Sequence, residues 1–138
     1  MQSPLLVLSK IVILGLVILS LAGCPMSMEP SDNALLLKNN SSLEIKVLLN
    51  MSYPDSSLHR SLVDRYLDPR SSGYVGSYLL LRQEPGLTVL IFDSEYFSKQ
   101  WHEHVGQPDT YLAEDRILRR YTLSRRELER VDWTLVYP

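Results

Sequence analysis

Leu87-Thr88-Val89-Leu90-Ile91-Phe92 is the stretch that decides the fold of this chain, because it is nearly all apolar. It follows Gln83-Glu84-Pro85-Gly86, whose Pro-Gly pair fixes one backbone dihedral angle and permits a positive one, as a turn requires. An apolar run without alternating polar residues predicts a strand that is buried on both faces. We therefore expect residues 87–92 to form the central strand of a sheet.

Two apolar segments nearer the amino terminus predict a β-hairpin. Leu35-Leu36-Leu37 and residues 43–49 flank the turn residues Asn39-Asn40-Ser41-Ser42. In the second segment apolar and charged residues alternate, which directs Glu44 and Lys46 outward. The side chains expected to face the core are Leu43, Ile45, Val47 and Leu49. Further strand patterns occupy residues 74–82, 117–122 and 133–137.

Two segments carry the start signals of short helices. Asp93-Ser94-Glu95 offers a cap and an acidic first turn to a helix that runs toward His104. The expected inner face of this helix consists of Phe97, Trp101 and Val105. Ser124 and Glu127 have the spacing of a capping box, which opens a second short helix.

Residues 58–67 fit two interpretations, and the sequence leaves both open. Leu58, Leu62 and Tyr66 recur every four residues, as on one stripe of a helix, but an extended loop fits equally. The whole chain then contains five to six strands and two to three short helices. Because no helix is long enough for repeated parallel crossovers, we expect a mainly β fold with an α+β fringe, as a small antiparallel sheet or sandwich.

The amino-terminal segment has the pattern of an export signal. Residues 11–21 are apolar apart from Gly15 and Ser20 and follow the positive charge of Lys10. A membrane-spanning helix needs about 20 apolar residues, whereas a signal segment needs roughly 7 to 15 before small residues at the cleavage point. An uncleaved anchor is the alternative, since residues 5–8 add apolar length.

Leu21-Ala22-Gly23-Cys24 closes this segment and resembles the lipobox of bacterial lipoproteins. The resemblance implies cleavage between Gly23 and Cys24, a diacylglyceryl thioether on Cys24, and acylation of the new amino terminus by a fatty acid such as palmitate. Each buried CH₂ contributes about 0.8 kcal/mol, so two or three chains hold a protein on its membrane. The expected organisation is a signal peptide (1–23), a lipidated cysteine with a flexible tether (24–33) and a single β-rich domain (34–138).

From about Asn39 onward the chain is similar to small uncharacterised lipoproteins of Bacteroides-type bacteria. The segments that carry this resemblance are Asn39-Asn40-Ser41, Tyr53-Pro54-Asp55-Ser56-Ser57-Leu58, Arg120-Tyr121-Thr122-Leu123-Ser124, Trp133-Thr134 and Tyr137-Pro138. The resemblance implies an envelope protein of the outer membrane and transfers no activity. In that group acidic residues after the lipidated cysteine accompany surface export, but here Pro25-Met26-Ser27-Met28 precedes Glu29. The periplasmic and surface faces therefore both stay open.

The charge of the expected mature chain argues against nucleic acid as a partner. Removal of residues 1–23 leaves 115 residues with 13 basic and 16 acidic side chains, a net charge of −3. Nucleic-acid binding requires a basic surface that neutralises phosphates. No cofactor is expected, and the partners expected are the membrane, through the lipid on Cys24, and an envelope protein or glycan.

His102-Glu103-His104 is the candidate metal site. On a strand these two imidazoles would point the same way and share a metal with His59, Asp93 or Glu114. On a helix, positions two apart diverge by about 200°. Because we expect a helix here, we interpret the histidines as solvent-facing residues at its end, where they suit the negative end of the helix dipole.

Catalytic signals are weak elsewhere in the sequence. Ser94 follows Asp93 at a strand-to-helix turn, as in an esterase elbow, but lacks the flanking glycines. Carboxylate pairs for glycoside hydrolysis could be drawn from Asp93, Glu95, Glu114 and Asp115, as from any set of acids. We therefore expect no enzymatic activity.

Arginines and aromatic residues offer two candidate binding surfaces. The arginines that could form a cationic face are Arg116, Arg119, Arg120, Arg125, Arg126 and Arg130, but acidic residues interleave with them, as on a solvated surface. The aromatic residues that could form a sugar platform or belong to the core are Tyr74, Tyr78, Tyr96, Tyr111, Trp101 and Trp133.

The sequence favours a lipid-anchored envelope lipoprotein that acts as a non-catalytic accessory or structural interaction module. The alternative is a carbohydrate- or glycolipid-binding module, and the third interpretation is a metal-dependent or other hydrolase. An exposed apolar patch or strand edge would indicate a protein partner. Exposed aromatic rings beside acids and amides would indicate a glycan, and a pocket with converging titratable groups would indicate an enzyme.

Overall fold

The strands dominate the part of the chain that the computed structural model describes, residues 33–104 and 112–138. Within these ranges the strands are β1 (Leu35–Asn39), β2 (Ile45–Asn50), β3 (Ser61–Leu67), β4 (Ser71–Val75), β5 (Gly86–Asp93), β6 (Arg119–Ser124) and β7 (Thr134–Tyr137). The helices are α1 (Ser94–Glu103) and α2 (Arg125–Arg130), and 3-10 turns span Leu58–Arg60, Leu81–Gln83 and Glu114–Arg116. The predicted mainly β fold is confirmed, with seven strands in these ranges where the sequence predicted five to six.

The strands form two sheets that share one hydrophobic core. One sheet has the order β4-β1-β7 and the other β3-β2-β5-β6. All pairs are antiparallel except β1 and β7, which run parallel. The core between the sheets includes Leu35, Leu37, Ile45, Val47, Leu49, Val89, Ile91, Trp133 and Leu135. Burial of these side chains is the main stabilising contribution in a fold of this size.

Strand β5 is the central strand that the sequence predicted. It pairs with β2 on one side and β6 on the other. Its side chains are buried on both faces, since Ile91 belongs to the core between the sheets and Leu90 to a second cluster on the opposite face. This second cluster explains why β5 carries no alternating polar residues.

Helix α1 covers the outer face of the four-stranded sheet. As predicted, Asp93 caps it, because its Oδ1 accepts a hydrogen bond from the backbone N–H of Tyr96 at 2.9 Å. Phe97 is buried in the second cluster, which also contains Leu48, Leu58, Leu90 and Phe92. Trp101 stacks on Phe97 on the same side of the helix, as predicted, but it lies at the margin of this face and is 42 % exposed. Val105 lies outside the described residues.

The predicted hairpin of residues 35–49 is wrong, because β1 and β2 belong to different sheets. The buried Asn39 turns the chain from one sheet to the other. Its amide nitrogen donates to the carbonyl oxygens of Leu43 (2.7 Å), Leu67 (3.3 Å) and Asp68 (2.9 Å). Leu43 stays outside β2 and is 44 % exposed, so its predicted place in the core is also wrong.

Two further segments differ from the predicted elements. Residues 58–67 form a 3-10 turn and β3, so the helical interpretation is wrong. The backbone of residues 61–67 is extended, but as a strand paired with β2 and not as the loop that was the alternative. The strand predicted for residues 74–82 ends at Val75. Gly76 follows with a φ of +65°, and a Cβ there would lie 2.6 Å from Leu81 Cδ1, so the chain turns where glycine is needed.

The carboxyl-terminal elements follow the sequence signals closely. Ser124 caps α2, and its backbone N–H donates to Glu127 Oε2 at 2.8 Å, which confirms the capping box. Strand β7 then pairs in parallel with β1 and closes the three-stranded sheet. None of the helices in the described residues is long and apolar enough to cross a membrane.

Candidate functional site

The outer face of the four-stranded sheet carries a candidate site around Lys46. Alternation along β2 sends Ile45 and Val47 into the core between the sheets and Lys46 to the opposite face. The prediction that Lys46 points away from the core between the sheets is therefore correct. Because α1 covers this face, however, Lys46 is only 4 % exposed. A lysine is seldom buried to this extent without a partner.

Aromatic rings surround the ammonium group of Lys46. Its Nζ lies 3.8 Å from the centroid of the Tyr66 ring and 5.3 Å from that of Phe97. Ring faces attract a cation because their electron density is negative there. Burial lowers the pKa of Lys46, because it disfavours the charged form, and the charge of Asp64 opposes this effect in part.

No carboxylate of the described residues is within ion-pair distance of Lys46. The ion pair in these residues joins Arg120 and Glu114 on another part of the surface. Asp64 accepts a hydrogen bond from the backbone N–H of Gly76 at 2.9 Å, which directs this carboxylate toward the turn after β4. The ammonium group of Lys46 is thus held by ring faces, and among the described residues the charge of Asp64 acts on it without a carboxylate at ion-pair distance.

A cavity of about 230 Å³ opens beside this ammonium group. The side chains that line it are Lys46, Val63, Tyr66, Phe97 and Trp101. The rings of Phe97 and Trp101 stack at 6.0 Å with an interplanar angle of 17°, and Tyr66 meets Phe97 edge to face. The walls are therefore flat and apolar, and a single positive charge lies among them.

Exposed apolar side chains continue from the cavity along β3, the edge strand of the four-stranded sheet. Tyr78 lies against β3, since its hydroxyl donates to the Val63 carbonyl oxygen at 3.3 Å. We call the surface formed by Val63, Tyr66, Tyr78 and Trp101 the β3 face. Their exposed fractions are 36 %, 42 %, 62 % and 42 %. Exposed apolar side chains gathered on one face are typical of a binding surface.

The backbone edge of β3 is less accessible than its side-chain face. The register against β2 shifts between Val47 and Leu48, which leaves Asp64 in a bulge. The Tyr78 hydroxyl donates to the backbone carbonyl oxygen of Val63, and the backbone N–H of Gly76 donates to the side-chain carboxylate of Asp64. A bulge and bonded edge groups are devices that block the pairing of another strand. The β3 face therefore presents side chains for binding and not a free strand edge.

The two histidines of the predicted metal candidate lie at the end of α1 and do not converge. Nδ1 of His102 donates to the Ser98 carbonyl oxygen at 2.7 Å, and Nδ1 of His104 to that of Gln100 at 3.1 Å. Both side chains are exposed. In residues 33–104 and 112–138, no group of three or more His, Cys, Asp and Glu side chains is placed to hold a metal ion.

The arginines of the predicted cationic face are divided among several places. Alternation along β6 puts Arg120 opposite Leu90 on the outer face and Arg119 on the other face, over the ring of Tyr121. The guanidinium group of Arg116 lies 4.6 Å from the Tyr96 ring centroid. Arg125 and Arg126 border a separate depression at the start of α2. These arginines do not form one continuous cationic face.

The residues considered for catalysis have structural contacts. Asp93 is the cap of α1 and Ser94 is its first residue, so the strand-to-helix turn serves to start the helix. Glu114 accepts hydrogen bonds from Arg120 and from the backbone N–H of Leu58. Asp93, Glu95 and Asp115 border one depression together with Lys99 and Arg116, which places cations among the acids.

Lys46 is the residue that sequence reasoning missed. A lysine in an alternating strand predicts a side chain exposed to solvent. The correct prediction required knowing that α1 packs on the outer face of the four-stranded sheet. That signal was present, since the adjacent strand β5 is apolar on both faces and α1 carries Phe97 and Trp101 four residues apart. A sheet covered on both faces leaves an outward lysine buried.

Comparison with family models, with curated proteins and with solved structures gave no match. The predicted lipidation and cleavage residues, Cys24 and Gly23, lie outside the described residues.

Proposed function

We propose that this protein is a lipid-anchored, non-catalytic module of the bacterial cell envelope that binds an envelope protein through the β3 face. The observation that carries the proposal is the exposure of Val63, Tyr66, Tyr78 and Trp101 on one side of the sandwich. Tyrosine and tryptophan contribute strongly to binding energy at protein interfaces, because they bury a large area with few rotatable bonds.

The amino-terminal sequence supports a location at the membrane, most simply the outer membrane. Cys24 would carry the lipid, and residues 24–33 would connect it to the domain. Ten residues span at most about 35 Å when fully extended. A domain held so close to a membrane meets partners in or next to that membrane at a high effective concentration. An accessory role beside a membrane protein follows from this arrangement, on the periplasmic or the surface side.

Site-specific photo-cross-linking in intact cells tests the proposal. A photoreactive amino acid at Val63 or Tyr78 would report contacts of the β3 face, and the same group at Arg126 or Glu129 would report the opposite end of the fold. We expect the β3 positions to capture one defined protein and the α2 positions to capture none. Equal capture from both sets, or capture unaffected by Tyr66→Ala and Trp101→Ala together, would contradict the proposal.

A second candidate function is carbohydrate or glycolipid binding, and the exposed rings of Tyr66 and Trp101 favour it. Sugar rings stack on exposed aromatic faces, and hydroxyl groups can bond to the Tyr66 hydroxyl and Ser98 Oγ, which lie 3.2 Å apart. A glycan array probed with the wild type and with Trp101→Ala separates the two functions. Glycan binding that Trp101→Ala abolishes, with no protein captured from the β3 face, would favour the second candidate.

A further inference from the structure

We propose that the cavity beside Lys46 is a binding site for a small ring-bearing carboxylate. The site goes beyond the proposed function, since it takes a small molecule whether or not the surrounding face binds a protein. Its central feature is Lys46, a residue only 4 % exposed that lines the cavity and has no carboxylate within ion-pair distance among the described residues. A ligand carboxylate would supply the missing charge.

The single charge of the site selects a monoanion. Among the five described residues that line the cavity, Lys46 is the one cation, and the others are Val63 and three aromatic residues. A phosphate dianion needs several donors or a second cation, because its unpaired oxygens would lose their water on binding. A carboxylate needs one ammonium group, and its second oxygen can remain toward the cavity mouth.

The cavity walls select a flat group attached to that carboxylate. Trp101 stacks on Phe97 yet remains 42 % exposed, so its indole presents aromatic surface where it lines the cavity. A volume of about 230 Å³ equals that of roughly eight water molecules in the liquid. This space holds a six-membered ring with one carboxylate, and the further units of an oligosaccharide would lie outside it. Aromatic acids and acidic monosaccharides share this chemistry.

A carboxylate would also change the balance of forces on Lys46. Within the protein the ammonium group is attracted by the ring face of Tyr66 and by the charge of Asp64, and it is disfavoured by burial. An anion at hydrogen-bond distance stabilises the charged form directly, so ligand binding and protonation of Lys46 are coupled. Binding should therefore weaken as the pH rises above the lowered pKa of Lys46.

Calorimetric titration of the full chain, purified as cells process it in detergent, tests the site with matched pairs of probes. Benzoate is compared with benzamide and galacturonate with galactose, each against a blank of detergent micelles. We expect at least one acid to bind about tenfold or more tightly than its neutral partner. Benzoate alone would identify an aromatic acid, galacturonate alone an acidic sugar, and either result supports the site.

Variants then assign the binding to this cavity. Lys46→Met should abolish the preference for the acid, and Trp101→Ala should weaken binding of the acid about tenfold. Lys38→Met, at an exposed position of β1, should change nothing. Trp101 is exposed, so its replacement tests the cavity even if Lys46→Met folds poorly. Equal affinity for acid and neutral partner, tighter binding of phenyl phosphate, or no binding of either acid at millimolar concentration would overturn the proposal. Cross-linking from Tyr78 in Lys46→Met cells reports the proposed function separately.

Discussion

Lys46 and Tyr66 are direct neighbours across β2 and β3, and the lysine ammonium nitrogen lies 3.8 Å from the centroid of the tyrosine ring. The pair occupies the boundary between a helix-covered sheet and an exposed edge strand. Tyr66 provides the ring face that holds the cation, and its own outer surface is exposed. One tyrosine therefore links the buried charge to the β3 face.

Replacement of Lys46 by methionine should change the pH dependence of stability. Unfolded Lys46 has its ordinary pKa near 10.5, and burial lowers the pKa in the folded protein. Between these two values the unfolded chain binds more protons, so the free energy of unfolding of the wild type rises with pH across that window. The buried charge is most destabilising below the window. We expect the stability of Lys46→Met relative to wild type to be highest near pH 7 and to fall toward pH 10.5.

Urea unfolding at several pH values between 7 and 10 measures this difference. Lys38→Met is the matched control, because Lys38 is an exposed lysine on β1, the strand that precedes β2 in the chain. Its difference from wild type should stay level over the same range. A level difference for Lys46→Met as well would mean that the folded protein does not disfavour the charge of Lys46.

Local signals in the sequence predicted the parts of the fold whose causes are local. The apolar run of β5, the Asp93 cap and the Ser124–Glu127 box each depend on neighbouring residues, and each is confirmed. The connection of β1 to β2 depends instead on Asn39 bonding to Leu67 and Asp68, far along the chain. No pattern within residues 35–49 could distinguish that corner from a hairpin turn.

The candidate site also depends on residues that are far apart in the chain, so local sequence patterns could not predict it. Burial of Lys46 results from a helix that begins 48 residues later in the chain, at Ser94, and from the pairing of β2 with β3, which places Tyr66 opposite Lys46. The exposure of Tyr66 and Trp101 follows from the position of β3 at a sheet edge, which periodicity cannot show. Residue types alone gave histidines and arginines as candidate site residues. In the structure the two histidines do not converge, and the arginines lie in several separate places.

Replacement of Asn39 by alanine should be strongly destabilising. Its side chain satisfies three carbonyl oxygens and accepts hydrogen bonds from the backbone N–H (3.1 Å) and hydroxyl (2.7 Å) of Ser41, all at a residue with no exposed surface. Loss of a buried hydrogen-bonding group that leaves its partners unsatisfied costs 1–3 kcal/mol, and several partners are involved here, so we expect a loss of about 3 kcal/mol. Chemical denaturation measures it.

Two variants make this test specific. Asn40→Ala changes an exposed neighbour and keeps its backbone bond to Tyr137, so its effect should stay within about 0.5 kcal/mol. Asn39→Asp keeps the shape but turns an oxygen toward carbonyl oxygens, and it should destabilise at least as much as Asn39→Ala. A mild effect of both Asn39 variants would show that this corner does not depend on the side-chain amide.

Replacement of Ser124 by alanine should lower stability through the start of α2. The Ser124 hydroxyl donates to Glu127 Oε2 at 2.6 Å and accepts from the Glu127 backbone N–H at 3.4 Å. Loss of such a cap costs about 1 kcal/mol, and in a domain of about 100 residues this lowers the melting temperature by roughly 4–8 °C. Thermal unfolding of Ser124→Ala measures the shift, and Ser124→Thr should recover most of it. Equal melting temperatures for wild type and Ser124→Ala would contradict the role of the box.

Replacement of Cys24 by serine should abolish processing and lipidation. If the lipobox resemblance holds, thioether formation on Cys24 precedes cleavage, and a serine hydroxyl does not replace the thiolate as nucleophile. Mass spectrometry of the membrane fraction should then show the full 138-residue precursor without lipid, whereas the wild type should show 115 residues plus acyl chains. Ser27→Ala, three residues beyond Cys24, is the control and should be processed as wild type. A Cys24→Ser protein of mature length that still carries lipid would rule out Cys24 as the lipidated residue.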